Sequence, residues 1–120
     1  MPTLVNDRGR NEIHASRILS RRPLDVRARL VARDTTGEYG VDRIVVQART
    51  HDVSCSGAGL TLTRELPSGS EVVLSFQLPG TGTTLCLNAV ITRRQGFRAG
   101  LRFVQPTAQQ RLLLAELCYA

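Results

Sequence analysis

The sequence predicts an all-β domain: a six-stranded antiparallel β-barrel with a C-terminal α-helix and a flexible N-terminal arm. From Pro23 onward, apolar and polar residues alternate with a period of two, which is typical of strands that bury one face. Turn sequences rich in glycine and proline interrupt this alternation about every 8–12 residues, as in small barrels. A helical pattern appears only after Pro106. Closing six strands into a barrel would also remove exposed sheet edges.

The N-terminal segment, residues 1–22, shows no clean hydrophobic period and is rich in charge. All 16 basic residues of the chain are arginine. Residues 1–33 contain eight arginines and three acids, whereas residues 34–120 contain eight arginines and seven acids. We therefore expect residues 1–22 to form a flexible, arginine-rich arm that meets an anionic partner, and residues 23–120 to form the barrel domain.

The first three strands are indicated by alternation and by the turns between them. The first is predicted over Val26–Arg33, where apolar residues alternate with arginines. The second is predicted near Val41–Thr50, after the polar turn at 34–40. A segment of small residues, Asp52–Gly59, separates it from a short third strand at 60–63.

Three further strands follow, joined by turns at 66–70, at 79–83 and at Gln95-Gly96. Short turns between neighbouring strands predict an antiparallel sheet. The residues predicted to face inward are Val72, Leu74, Phe76 and Leu78 in the fourth strand, Leu85, Leu87, Ala89 and Ile91 in the fifth, and Phe97, Ala99, Leu101 and Phe103 in the sixth.

A capping box predicts the start of the C-terminal helix. Thr107 and Gln110 have the spacing at which each side chain can bond the backbone of the other, and good helix formers follow. The apolar side of this helix is predicted to consist of Leu113, Leu114, Leu117 and Cys118. We expect that side to cover an end of the sheet.

The cysteines and the hydropathy of the chain indicate its cellular compartment. Cys55, Cys86 and Cys118 lie about 31 residues apart, and the chain has no CxxC pair and no histidine pair that could complete a metal site. We expect three reduced, buried thiols. The chain has no apolar run of about 18 residues and no signal-peptide pattern. These features predict a cytoplasmic protein with no membrane insertion, no metal and no cofactor.

The chemistry of an enzyme is not indicated. His51, Asp52 and Ser54 lie within four residues, but neighbouring residues of an extended chain point to alternating faces, so they do not form a catalytic line for acyl transfer. The sequence has no GxSxG elbow, and without lysine it cannot form a P-loop. We therefore expect a binding protein rather than an enzyme.

Two short motifs instead indicate a ligand site. The first is RxxxR, from Arg17 to Arg21, followed by Arg22 and a proline. The second is DxSxxG, read here as DVSCSG from Asp52 to Gly57. In this order, and with GLRF before a final helix, the chain resembles the PilZ domain family over roughly residues 13–119. It departs from many members in having an alanine between two glycines at the end of the second motif, and its loop before the second strand is long.

The resemblance implies a PilZ-like barrel of the split-barrel type that binds cyclic di-GMP, a bacterial second messenger. The binding residues implied are Arg17, Arg21, Arg22, Asp52, Ser54 and Gly57. Guanidinium forks match phosphate oxygens or the O6/N7 edge of guanine, and they stack on bases. Asp52 can accept bonds from guanine N1–H and N2–H, and Ser54, on the same face of an extended chain, can bond the base or a phosphate. Gly57 lets the backbone turn and approach the ligand.

The same resemblance implies a signalling role. Ligand binding would order the arm across the barrel and change the surface that an unidentified downstream partner protein meets. Two alternatives stay open. A nucleic-acid-binding barrel would explain the arginine-rich arm, although the five aromatic residues provide few stacking platforms and disfavour it. A PilZ-like adaptor that binds no nucleotide is disfavoured because this chain keeps both motifs.

Overall fold

The computed structural model describes residues 21–34 and 42–119, and within these ranges it contains seven strands and one helix. The elements are β1 (Arg22–Pro23), β2 (Arg27–Asp34), β3 (Asp42–Val53), β4 (Gly57–Leu62), β5 (Glu71–Gln77), β6 (Thr84–Gln95), β7 (Arg98–Phe103) and α1 (Ala108–Tyr119). Every strand pairing is antiparallel. The predicted fold class, a barrel with a C-terminal helix, is confirmed. Arg17 and the rest of the predicted arm up to residue 20 lie outside the described residues.

The barrel closes through six of the strands. Their order around it is β3-β2-β5-β6-β7-β4, and β4 pairs back onto β3. The two-residue strand β1 adds to the far end of β3, where Arg22 lies opposite Val53 and Pro23 lies opposite Asp52. Arg22, assigned by the sequence to the end of the arm, therefore already belongs to the sheet.

A buried threonine connects β1 and β2 to β3. Thr50 is 0% exposed. Its hydroxyl lies beside residues 24–26, which join β1 to β2 and belong to neither strand's pairing with β3. The N–H of Val26 donates to Thr50 Oγ1 at 3.0 Å, and Thr50 Oγ1 donates to the carbonyl of Leu24. Leu24 N–H donates to the carbonyl of His51 at 2.9 Å. These bonds fix the start of the barrel beside the end of β3, where the second motif begins.

The core follows the predicted alternation, with one exception. The predicted inward residues of the fourth and fifth strands are all buried, as are three of the sixth, namely Ala99, Leu101 and Phe103. The prediction for Phe97 is wrong, since that side chain is 53% exposed. Its strand, β7, begins only at Arg98, and Phe97 belongs to the turn in which Gly96 takes a φ of 61°.

The boundaries of β3 and β4 also differ from the prediction. β3 continues to Val53, so Asp52 lies within a strand instead of in a small-residue loop. β4 begins at Gly57, before the first predicted apolar residue of that strand. Small residues are compatible with strand structure here because they sit in paired, closely approaching backbone.

The helix α1 begins at the predicted capping box. Gln110 N–H donates to Thr107 Oγ1 at 3.1 Å, and Thr107 N–H donates to Gln110 Oε1 at 2.9 Å. On the apolar side, Leu114 and Cys118 are buried, and two leucines pack against the core at its edge. The described part of the chain has no helix with the length and apolar character needed to span a bilayer.

The three cysteines are free thiols in different surroundings. Cys118 is buried and Cys55 is half-buried, but Cys86 is exposed, so the prediction of three buried thiols is wrong for Cys86. Cys86 lies at an outward position of β6, between two buried leucines. Burial, and to a lesser extent Cys55, raises the pKa of the Cys118 thiol to about 11, while the charge of Arg22 opposes the shift. Within 21–34 and 42–119, no group of three metal-ligating side chains occurs.

Candidate ligand-binding cleft

An open cleft of about 640 Å³ lies on the outer face of the barrel, across β3, β4, β7 and β6. Its centre is a row of residues that lie opposite one another on adjacent strands. Asp52 lies opposite Gly59, Gly59 opposite Gly100, and Gly100 opposite Arg93. Neighbouring strands are about 4.8 Å apart, so the row spans about 14 Å between the backbones of its first and last residues. The two glycines contribute no side chains to the middle of this row.

Two β-bulges turn the ends of the row outward. The register shifts between Thr50 and Asp52 in β3, and between Ile91 and Arg93 in β6. Thr50 and Ile91 are buried. Regular alternation would therefore point Asp52 and Arg93 into the core two residues later. An extra residue in each strand reverses the facing, which is the usual effect of a bulge.

Arg21 and Asp52 meet at one wall of the cleft. Arg21 Nη2 lies 3.6 Å from Asp52 Oδ1, with the two side chains 51% and 31% exposed. Asp52 Oδ1 is buried and accepts no hydrogen bond from the described residues. Gly59 makes room for this carboxylate, because a Cβ at Gly59 would lie 3.1 Å from Oδ1. Asp52 Oδ1 therefore has no hydrogen-bond donor among the described residues, and its contact with Arg21 is longer than a hydrogen bond.

Ser54 and Gly57 build the turn that follows Asp52. Ser54 is 9% exposed and does not line the cleft. Its Oγ accepts from Gly57 N–H at 3.1 Å and from Ser56 N–H at 3.2 Å. Gly57 is required by packing, because a Cβ there would lie 2.1 Å from the carbonyl oxygen of Leu101. Ser54 lies just beyond the end of β3 and its hydroxyl bonds within this turn, so its contact with a ligand stays a prediction.

The structure thus brings some of the sequence-predicted residues together. Arg21 and Asp52, which are 31 positions apart, line the same cleft. Arg22 is exposed in β1 and lies beside the cleft without lining it. Arg17 lies outside the described residues.

Sequence reasoning missed the opposite wall of the cleft, formed by the β6–β7 hairpin. The residues of this hairpin that line the cleft include Thr92, Arg93, Arg94, Gln95 and Arg98. Arg94 Nη1 pairs with Glu65 Oε1 at 3.0 Å. Arg98 occupies an exposed position at the start of β7, and no sequence motif assigns it a function. Nothing in the residue pattern reveals the bulge that exposes Arg93.

Comparisons with known proteins agree with the fold and the motifs. The sequence profile of the family described as PilZ domain matches residues 14–120. Among solved structures, the fold is similar to the crystal structure of the PilZ domain of CeSA from a cellulose-synthesizing bacterium, with a TM-score of 0.61. The two sequences are 23% identical, and the match covers 82% of this chain and 94% of that chain. No match was found among curated proteins.

Proposed function

This chain belongs to the PilZ domain family, and on that premise we propose that it is a receptor for cyclic di-GMP that binds the nucleotide in the cleft beside β3. One observation carries the proposal. The last arginine of the RxxxR motif, Arg21, and the first residue of the DxSxxG motif, Asp52, lie 3.6 Å apart on the wall of that cleft.

The chemistry of these two side chains suits a guanine nucleotide. Asp52 has a buried carboxylate oxygen that accepts no hydrogen bond from the described residues. Guanine N1–H and N2–H can donate hydrogen bonds to this carboxylate. The Arg21 guanidinium offers a planar fork to a phosphate or to the Hoogsteen edge of guanine. The contact between them is longer than a hydrogen bond and partly exposed, so separating the pair costs little. A ligand can therefore exchange this contact for two charge-assisted hydrogen bonds.

The other motif residues act around this centre in the proposal. Arg17 and Arg22 bring further guanidinium groups from the arm and from β1 to the two phosphates. Ser54 and Gly57 act at the edge of the site, through the turn that holds Asp52 in place. Members of this family are binding domains, so the proposed role requires no catalysis.

The proposed output is a change in the arm that a partner protein detects. Arg22 lies opposite Val53 of β3, next to Asp52, and Arg21 lines the cleft. Binding of a dianion there would order the arm against the barrel and present a new surface. The new surface would determine which partner protein binds. Because cyclic di-GMP is a bacterial second messenger, this ligand implies signalling in the cytoplasm of a bacterium.

Calorimetric titration of the full chain tests the proposal. We expect saturable binding of cyclic di-GMP, with no comparable heat from GTP or cyclic di-AMP. Equal binding of all three nucleotides would replace the proposal with general anion binding. Binding of a nucleic acid that weakens steeply with salt, without any response to cyclic di-GMP, would favour the nucleic-acid alternative.

Replacement of Arg21 is the sharpest change to the proposed contact. Arg21→Ala should weaken cyclic di-GMP binding tenfold or more, because it removes charge-assisted hydrogen bonds worth about 1.5–3 kcal/mol each. Arg21→Lys should be nearly as damaging, because lysine keeps the charge but loses the planar fork. Arg111→Ala, which removes an exposed arginine of α1, is the matched control and should leave affinity unchanged. Unchanged affinity in Arg21→Ala would refute the assignment.

A further inference from the structure

The wall opposite Asp52 carries arginines that belong to neither motif. Arg93, Arg94 and Arg98 line the same cleft as Arg21. Arg94 is paired with Glu65, which offsets its charge. No carboxylate of residues 21–34 and 42–119 forms an ion pair with Arg93 or Arg98. Like charges that face a shared cleft repel one another, and a bound anion relieves that repulsion.

Arg93 has a defined position at the edge of the floor. It lies opposite Gly100, and a Cβ placed on Gly100 would be 3.6 Å from Arg93 Nε and 3.8 Å from its Nη2. The guanidinium therefore extends along the bare backbone of β7 toward the middle of the cleft. The bulge in β6 is what gives Arg93 this outward direction.

The floor between Asp52 and Arg93 is suited to a flat ligand. Gly59 and Gly100 lie opposite each other at its centre, so no side chain rises from these two positions. The Asp52 carboxylate lies close above Gly59 and the Arg93 guanidinium lies close above Gly100, so a ligand that covers the two glycines meets both side chains.

We propose that Arg93 is a further ligand-binding residue, and that cyclic di-GMP lies across the Gly59–Gly100 floor with one half at Asp52 and the other at Arg93. This inference rests on the proposed function, and it adds a contact from β6 that neither motif contains. The guanidinium of Arg93 binds a phosphate or guanine of the distal half, and Arg98 contributes to the positive potential of the same wall.

Calorimetry with cyclic di-GMP on the full chain tests this placement. Arg93→Ala should weaken binding tenfold or more, and Arg93→Lys should restore only part of the loss because it lacks the fork. Arg102→Ala is the matched control, since it removes an exposed arginine of β7 that does not line the cleft. Its affinity should stay within about twofold of the unsubstituted protein. The melting temperature of each ligand-free variant should be unchanged, which separates ligand contact from folding.

A second variant tests the floor itself. Gly100→Val places a β-branched side chain over the middle of the row, at a strand position that favours such residues. We expect the protein to fold and to lose most of its affinity for cyclic di-GMP. Full affinity in both Arg93→Ala and Gly100→Val, with binding lost in Arg21→Ala, would overturn the inference and leave the proposed function standing. Absence of binding to the unsubstituted protein would overturn both.

Discussion

At the scale of single residues, glycines near the cleft are present for different physical reasons. Gly57 is present because the backbone of β7 approaches it, with the Leu101 carbonyl oxygen 2.1 Å from where a Cβ would lie. At Gly100 the nearest atoms to a Cβ are 3.6–3.8 Å away, which is ordinary contact. The sequence pattern identifies Gly57 as part of a motif, but it does not distinguish a packing glycine from one that keeps a surface open.

The two glycines should therefore respond differently to alanine. Gly57→Ala should lower the free energy of unfolding by about 1–3 kcal/mol, because the new methyl group forces two paired strands apart. Gly100→Ala should change it by no more than about 0.5 kcal/mol. Urea unfolding of both variants measures this difference. Equal stability of the two variants would contradict the close approach of β4 and β7 at Gly57.

The buried thiol of Cys118 should make stability depend on pH in the alkaline range. Its pKa is raised from 9.0 to about 11 in the folded protein. The folded state then keeps a proton that the unfolded chain releases, so the stabilisation by this group is complete below about pH 9 and is lost as pH rises toward about 11.

Urea unfolding at about pH 8 and about pH 10.5 tests the Cys118 effect. The unsubstituted protein should lose more stability between these two conditions than Cys118→Ala, which has no thiol to titrate at that position. The same loss in both proteins would show that Cys118 does not titrate differently on unfolding. Cys86, which is exposed, should react with a thiol reagent in the native protein while Cys118 does not.

At the scale of elements, the C-terminal helix is the part that local sequence determines most directly. The capping box forms as the spacing of Thr107 and Gln110 predicts, with both reciprocal hydrogen bonds present. Thr107→Ala removes one of them and should destabilise the protein by about 1 kcal/mol. Cyclic di-GMP affinity should be unchanged, because α1 does not line the cleft. If urea unfolding shows almost no loss in the free energy of unfolding, the cap is not needed to hold α1 on the barrel.

The strands show which features the local residue pattern predicts and which it does not. Period-two alternation predicts the buried faces of β2, β5 and β6 correctly because each strand is regular there. It fails at both bulges, since an inserted residue changes facing without changing composition. Those two bulges expose Asp52 and Arg93, so the elements that depart from the rule are the ones that form the cleft. The sequence identifies Asp52 as a site residue only through its motif, and it gives no indication that Arg93 lines the cleft.

At the scale of the whole molecule, closure of the barrel assembles the cleft. β3 and β6 are separated by β2 and β5 in one direction around the barrel and by β4 and β7 in the other. Only the pairing of β4 with β3 places Asp52 across from Arg93, which is 41 positions later. Antiparallel pairing between sequence neighbours can be predicted from short turns. The closing pair and its register depend on how all the strands pack together, so the sequence alone did not reveal the second wall.

The central claim is that cyclic di-GMP binds on this outer face, between Arg21 and the barrel wall. Amide chemical shifts of the ¹⁵N-labelled full chain during titration with cyclic di-GMP test it residue by residue. We expect the largest changes at Asp52, Gly59 and Gly100, together with the arm around Arg17 and Arg21, and little change in α1. Shift changes confined to another face of the barrel, or none at saturating nucleotide, would contradict the claim.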